Sequence, residues 1–545
     1  MNSNQILFRK SSPSDNDHHS HSNKMRAGTY NNQRFQVHQL PMKKTRSRKK
    51  KQCWVASILY ILIGSIIFIL IVMNNNKNYI ATKQNMRSKI NNGNNTQGDC
   101  QALNILPPNR IATLERLNLN NCGIDHIPIT IKYAKNLKQL DVGNNPKLAS
   151  LPDELEECSK LEILFVSNCR GITSLPSVLG KMTSITRLGW RSGSLTTIDP
   201  NGIPPNLIHL ILTDNNIQSI EEDALFDKLQ HVRKLMLSHN NIKRFGSDNK
   251  GSIKKLKSLE LLRLAGNQLS SIPNDLWTLP NLTWLTISGN PFMDNVERSL
   301  KVPWIGIQDL EPTGNFLGEG ASGKVTSYLL NNQAVAVKTI HGVTSDGRAE
   351  DELKVYGAVG SDGIDHKVVG CVALLDDEEK KGAVMQQLPS NLHDLALPPT
   401  IIEVTKDRWD NWSDDYTFNI SFVMNVLIDI AGALRFLHDE IGVAHGDVYA
   451  HNMKVDKDTG HVFLLDFGAS YFTDVYKKEA ERLEVRAFGV LILELVSKLD
   501  PSVVQVTKKL KALASRCVDE DIVKRPTFRD IEGDIRVIEN TISSI

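Results

Sequence analysis

The 545-residue chain has no CxxC pair and no cysteine and histidine run at zinc-ligand spacing. Its seven cysteines, at 53, 100, 122, 158, 169, 371 and 517, are scattered, which argues against a disulfide framework and against a structural zinc site. An excess of one charge is also missing: 64 Lys and Arg stand against 61 Asp and Glu, a formal net charge of +3. The surplus of basic residues sits in one short run, so no domain carries the cationic footprint of a nucleic-acid partner. Length excludes a single core, and two or three domains are expected.

Residues 1–52 form a basic N-terminal tail. Its first 42 residues are rich in Ser, Asn, His and Gln and too poor in large apolar groups to offset ordering entropy, so disorder is expected. Lys43, Lys44, Arg46, Arg48, Lys49, Lys50 and Lys51 follow, and then Trp54 to Met73 pass without a charged residue. As a helix this stretch reaches about 30 Å, one bilayer core, so residues 53–73 read as a single transmembrane anchor. Basic residues are fewer beyond it, at Lys77, Lys83, Arg87 and Lys89. That bias alone would leave the tail in the cytosol and place the rest of the chain outside. Residues 74–104 are an Asn-rich linker.

A repeat takes over at Leu114. Leu114, Leu117, Leu119, Cys122, Ile124 and Ile127 recur as Leu137, Leu140, Val142, Asn145, Leu148 and Leu151, and about eight copies end near Asn290. The pattern resembles the leucine-rich-repeat family and implies an α/β solenoid over residues 105–300. Leu-x-Leu lines the inner face of a short parallel strand, and the following Asn or Cys turns inward to bond backbone groups of the next coil. Cys122 and Cys169 hold that position, which assigns both to the ladder. Four copies end in apolar-Pro, at Pro128, Pro152, Pro176 and Pro273. The concave face, lined by the variable positions, is the expected docking surface for a protein partner or substrate.

Beyond Pro291 the pattern changes. Gly318, Gly320 and Gly323 precede Lys324 and Val325, and Ala336 and Lys338 follow on an apolar strand. Glycines admit phosphates to backbone amides, and a strand lysine neutralises them. Gly318 to Lys324 nearly fits a Walker A loop, but Val325 stands where a hydroxyl is needed and a strand follows where a helix is required. Further on, His445, Gly446 and Asp447 precede Asn452, and a strand ends in Asp466, Phe467 and Gly468. One carboxylate to orient an acceptor hydroxyl, with Asn452 and Asp466 as hard oxygen donors, is the set that phosphoryl transfer from Mg-ATP uses.

Taken together these motifs resemble the eukaryotic-type protein kinase family over residues 309–540, with an α+β bilobal fold. The resemblance implies ATP and Mg2+ as cofactors, Asp447 as base, Lys338 on phosphate, and Asn452 and Asp466 on metal. Glu352, in a helix expected from Asp346 to Val359, is the implied partner of Lys338, with Glu350 as the alternative register. Gln386 and Leu388 lie where the strand enters the adenine hinge, after Met385. Gly318, Gly320, Gly323, Val325 and Ala336 complete the nucleotide set.

The departures are specific. Gly446 replaces the usual Arg, Tyr449 replaces the usual Lys two residues after the Asp, and no Ala-Pro-Glu follows. His451 or Lys454 is the candidate substitute for the missing cation, and Glu479 or Glu481 for the lost partner of Arg525. Glu484 stands where an Asp usually begins the central helix. The reading is a multidomain, membrane-anchored leucine-rich-repeat protein kinase directed at protein Ser/Thr. The ATP set, the repeat subtype and the unpaired cysteines set its C-terminal portion in the cytosol, against the charge bias. The alternatives are a nucleotide-binding scaffold without transfer and a receptor-like binding protein.

Overall fold

The computed structural model describes residues 99–545, apart from 221–222, 247–250, 294–298, 321–322, 341–343, 345, 378–379, 414–415 and 543–545. The expected tail and membrane anchor lie outside the described residues, as does most of the linker.

Eight three-residue strands form a single parallel sheet in chain order: β1 (Arg116–Asn118), β2 (Gln139–Asp141), β3 (Ile163–Phe165), β4 (Arg187–Gly189), β5 (His209–Ile211), β6 (Lys234–Met236), β7 (Leu261–Arg263) and β8 (Trp284–Thr286). The register stacks the central leucines, Leu117 on Leu140 on Leu164 and so on to Leu285, and all are buried. Each contributes about 1.5–3 kcal/mol of apolar burial, which explains the Leu-x-Leu spacing. The inward Asn ladder forms as expected. Asn145 donates to Leu119 O at 2.9 Å and its Oδ1 accepts from Ile124 N, and Asn267 donates to Leu237 O at 3.0 Å. Each of the four prolines precedes a 3-10 turn on the outer side, where a missing N–H costs nothing. One coil instead carries a short helix, α3 (Asp223–Lys228), after α1 (Ala102–Ile105) and α2 (Pro108–Ile111) at the N-terminal end.

The cysteine assignments need one correction. Cys169 donates to Val142 O at 3.2 Å, as a ladder residue should, but Cys122 forms a disulfide with Cys100. Ladder groups bond the coil before their own, and Cys122 belongs to the first coil, which has none. The segment carrying Cys100 covers that edge instead, with Asp99 N bonded to Asn118 O. The described residues therefore include the end of the stretch expected to be linker, where Ala102–Ile105 is helical.

The second domain has two lobes. In the smaller, β10 (Glu311–Gly320), β11 (Gly323–Leu330), β12 (Gln333–Ile340), β13 (Cys371–Asp376) and β14 (Lys381–Gln386) form a sheet of order β10-β11-β12-β14-β13, edged by β9 (Trp304–Ile305) and covered by α4 (Ala349–Val359). Helix α4 starts at Ala349, three residues after the expected Asp346. Strand alternation sends Val335 and Val337 to one side, with Leu375 and Val384, while Ala336 packs with Leu353 and Tyr356 of α4. Gly318 to Lys324 spans the β10–β11 hairpin, strand on strand, which rules out a Walker A loop.

The larger lobe holds β15 (Leu392–Asp394), α5 (Ile420–Phe436), β16 (Val443–Ala444), β17 (Met453–Asp456), β18 (Val462–Leu464), β19 (Tyr471–Phe472), α6 (Lys477–Ser497), α7 (Val504–Cys517) and α8 (Phe528–Ile542). Among the described residues, one helical stretch, Ile420–Ile441, is long and apolar enough to cross a membrane, but it is the buried core of this lobe. Helix α6 begins seven residues before Glu484, the expected start, because Lys477 to Glu484 contains strong helix formers and no breaker. Only residues 469–476 separate Gly468 from it.

The solenoid and the two-lobed domain share their cores. Met236, Leu261 and Trp284 of the concave face pack into the cluster of Val448, Tyr449 and Phe467, while Ala444, Tyr471, Ala480 and Leu483 pack with the solenoid leucines. The concave face from β4 to β8 is thus covered by the chain's own second domain. As a surface for a separate partner it is reduced to the strands before β4.

Candidate functional site

Four elements converge between the lobes. Strand β12 presents Lys338, whose Nζ lies 2.6 Å from Glu352 Oε1 on α4 and 2.8 Å from Asp466 Oδ1 after β18. Glu352 is the partner that α4 selects, because Glu350 is exposed on its far side. Burial pushes the Glu352 carboxyl up to about 7 against the pull of Lys338. Asp466, with φ +65°, also accepts from Gly468 N at 3.1 Å. Burial works against ionisation there, but Lys338 and this N–H hold the carboxyl below the usual range.

The loop after β16 supplies the second half. Asn452 Nδ2 donates to the carbonyl and to Oδ2 of Asp447, both at 2.9 Å. Glu484, inside α6 and not at its start, accepts from Gly446 N at 2.6 Å and contacts His438 Nε2 at 2.6 Å, so it anchors the loop. Neither candidate replacement cation is released toward a phosphate. His451 Nδ1 lies 2.6 Å from Asp407 Oδ1, and Lys454 Nζ is 2.8 Å from Asp394. Burial would lower the His451 imidazole, but Asp407 raises it. Arg525 takes no carboxylate: it donates to the carbonyls of Asp519, Arg482 and Pro280 at 2.9, 3.0 and 2.9 Å, while Glu481 accepts from Phe528 N instead.

The residues fit a magnesium nucleotide. Asp466 has one oxygen tied to Lys338 while its side chain stays 44% exposed, and Asn452 spends its amide nitrogen on Asp447, leaving the amide oxygen. Among the described residues no cluster of three His, Cys, Asp or Glu is arranged to hold a metal alone. Two hard oxygens suit an ion that keeps water and phosphate ligands. Gly318 and Gly320 have open space above them, Val325 pairs across the sheet with Lys338, and Ala336 pairs with Met385. Gln386 ends β14 opposite Val335, and Leu388 is half-buried just beyond.

Motif reading missed the solenoid's share. Arg263 of β7 is 3% exposed, donates to Gly446 O at 3.1 Å and to Asp447 Oδ1, and pairs with Asp346 at 3.1 Å. Trp284 of β8 stacks on Tyr449 with centroids 4.0 Å apart and planes 8° from parallel, and its Nε1 donates to Val448 O at 3.0 Å. Gly446 has φ +77°, and a Cβ there would meet Ala469 O at 2.3 Å and Leu285 O at 2.9 Å, so docking demands glycine. The available signal was chemical: large charged or aromatic residues at strand positions that face the concavity.

His209 on β5 lies buried beside this joint, and burial, with Lys234 and Arg187, pulls its imidazole down to about 3. A depressed folded value means the unfolded chain takes the proton first, so stability is complete above about pH 6.5 and falls with acidification. Denaturant unfolding is expected to show a loss of about 2 kcal/mol between pH 6.5 and 5 that His209→Leu removes.

The leucine-rich-repeat family model matches residues 205–249 and 244–292, so the chain is a leucine-rich-repeat-containing protein. It is similar to podocan-like protein 1 of Mus musculus, 29% identical over 234 residues, 42% of this chain and 40% of that protein. It is also similar to the leucine-rich repeat receptor-like protein kinase PXC1 of Arabidopsis thaliana, 25% identical over 240 residues, covering 39% and 33%. A third relative, the LRR receptor-like serine/threonine-protein kinase EFR of the same plant, is 29% identical over 191 residues, covering 32% and 17%. The chain spans less than half the length of each.

Proposed function

We propose that the protein is a membrane-anchored, ATP-dependent protein kinase of the leucine-rich-repeat class, directed at Ser/Thr hydroxyls. The observation that carries this is the meeting of Lys338, Glu352 and Asp466 at 2.6 and 2.8 Å beside the Asp447–Asn452 pair. Bound Mg-ATP would supply the transferable phosphoryl group. Lys338 holds phosphate, Glu352 orients Lys338, Asp466 and Asn452 offer oxygens to the metal, and Asp447 takes the acceptor's hydroxyl proton. The relatives with kinase in their names support the class at low identity.

Arg263 of the solenoid on Asp447 Oδ1, and Tyr449 stacked on Trp284 where a Lys is usual, favour a second reading, a nucleotide-binding interaction protein. Incubation of the full chain with γ-labelled ATP, with magnesium or with chelator, separates them. Magnesium-dependent labelling of the protein or of an added protein substrate supports the kinase. Stabilisation by Mg-ATP with no labelled product supports the second reading and sinks the first.

The Cys100–Cys122 disulfide, together with the basic run before the anchor, supports placing residues beyond Met73 on the non-cytosolic side, in an oxidising compartment supplied with ATP. Four Asn-x-Ser/Thr glycan acceptor sequences follow Met73, at Asn94, Asn281, Asn411 and Asn419. Asn281 and Asn411 have their amide nitrogens bonded to Lys257 O and Asp394 O, whereas Asn419 is exposed and Asn94 lies outside the described residues. A glycosidase-sensitive shift lost in Asn94→Gln/Asn419→Gln is expected. Absence of glycan, with both cysteines open to maleimide before reduction, would return the domain to the cytosol.

A further inference from the structure

The solenoid does more than cover the second domain. Arg263 is the variable residue between Leu262 and Leu264 in its repeat, at the end of β7, where its side chain crosses the joint. Three of its nitrogens meet three groups that belong to the other domain: Gly446 O, Asp447 Oδ1 and Asp346 Oδ1. The first two lie in the loop before β17, and the third lies in the connection from β12 to α4. One guanidinium therefore ties the larger lobe to the smaller beside Lys338 and Asp466.

Two departures of the loop fit the solenoid strands docked against it. Gly446 leaves room for the strand that carries Leu285, and its carbonyl receives Arg263 Nη1. Tyr449 fills the space under Trp284, at the position where the kinase resemblance implies a lysine. The loop has lost two cations of its own and gained one from 184 residues upstream. The carboxylate is not closed by it. Arg263 occupies Oδ1, Asn452 takes one lone pair of Oδ2, and the second lone pair of Oδ2 stays available to an acceptor hydroxyl.

We propose that Arg263 of the solenoid is a positioning residue of the phosphoryl-transfer centre, fixing Asp447 for the acceptor and making the repeats part of the catalytic unit. This rests on the kinase reading above. The charged groups around Asp447 are Arg263, Lys234, Asp346, His445, His451 and Asp466.

The test uses the full chain and magnesium-dependent transfer of label from ATP. Arg263→Met is expected to lower kcat about a hundredfold, the scale of a misplaced reacting group. Its KM for ATP and its stabilisation by Mg-ADP should stay at the wild-type values, a split between turnover and nucleotide binding that a merely structural role would not give. Arg263→Lys should recover part of the rate, and it serves as the readout if the methionine variant melts early. Arg187→Ala removes bonds to Ile401 O and Ile402 O across the same joint without touching Asp447, and is expected to leave the rate unchanged. A rate in Arg263→Met equal to or above wild type overturns the proposal, the latter making the solenoid a brake. An equal fall in Arg187→Ala also overturns it, reducing Arg263 to a docking contact. A wild-type chain that binds Mg-ATP and transfers nothing overturns the kinase reading itself, and this proposal with it.

Discussion

Asp466→Ala is expected to abolish magnesium-dependent phosphoryl transfer, with a loss of roughly 10³-fold, comparable to removing a preorganised electrostatic group from a transition state. The carboxylate does two jobs. One oxygen fixes Lys338 at 2.8 Å, and the exposed remainder is the stronger of two hard donors facing the cleft. Alanine removes both, and Asn452 alone is a poor site for a cation that prefers near-octahedral oxygen coordination. Folding should survive, because Lys338 keeps Glu352 at 2.6 Å. The magnesium-dependent part of stabilisation by ADP should vanish in a thermal-shift measurement while the apo melting temperature changes little. A rate within tenfold of wild type would sink the assignment of Asp466 to the metal.

Trp284→Ala should produce the largest loss of stability, about 3–5 kcal/mol, from the cavity and transfer terms of a buried aromatic. Its indole is 4% exposed, stacks on Tyr449 and donates to Val448 O, so the deletion also leaves that carbonyl without its bond and uncovers a buried phenol. Stacked pairs add about 0.5–1.5 kcal/mol beyond area. Because Trp284 belongs to the core of the two-lobed domain, denaturant transitions followed by repeat-sheet circular dichroism and by nucleotide binding should move together. A shift confined to the repeats would show that the shared core is not shared energetically.

The repeats were legible because their chemistry is local: a strand of three residues needs its leucine, and a coil needs its inward Asn. The Lys338, Glu352, Asp466 and Asp447–Asn452 positions were legible for a similar reason, since each motif fixes a side chain within a few residues of a strand end. Three things were not. Cys122 sat in a ladder position, and only the absence of an earlier coil turned it toward Cys100. His451 and Lys454 looked like spare cations, because Asp407 and Asp394 are 44 and 60 residues away in sequence. Arg263 and Trp284 occupied variable strand positions that sequence marks only as surface, and the meeting of β7 and β8 with the loop at Asp447 depends on how two domains dock.

That docking also changes how the solenoid behaves as a repeat protein. Repeat arrays ordinarily melt as a chain of weakly linked units, each stabilised by its immediate neighbours, so that either end frays first. Here the coils of β6, β7 and β8 are joined through Met236, Leu261 and Trp284 to a globular core and are expected to open with it. The first three coils keep the one-dimensional character, with the Cys100–Cys122 bond sealing their free end. The molecule thus combines a rigid block with a pliable arm. The stack of central leucines from Leu117 to Leu285 joins the inner face of that arm to the strands beside Arg263.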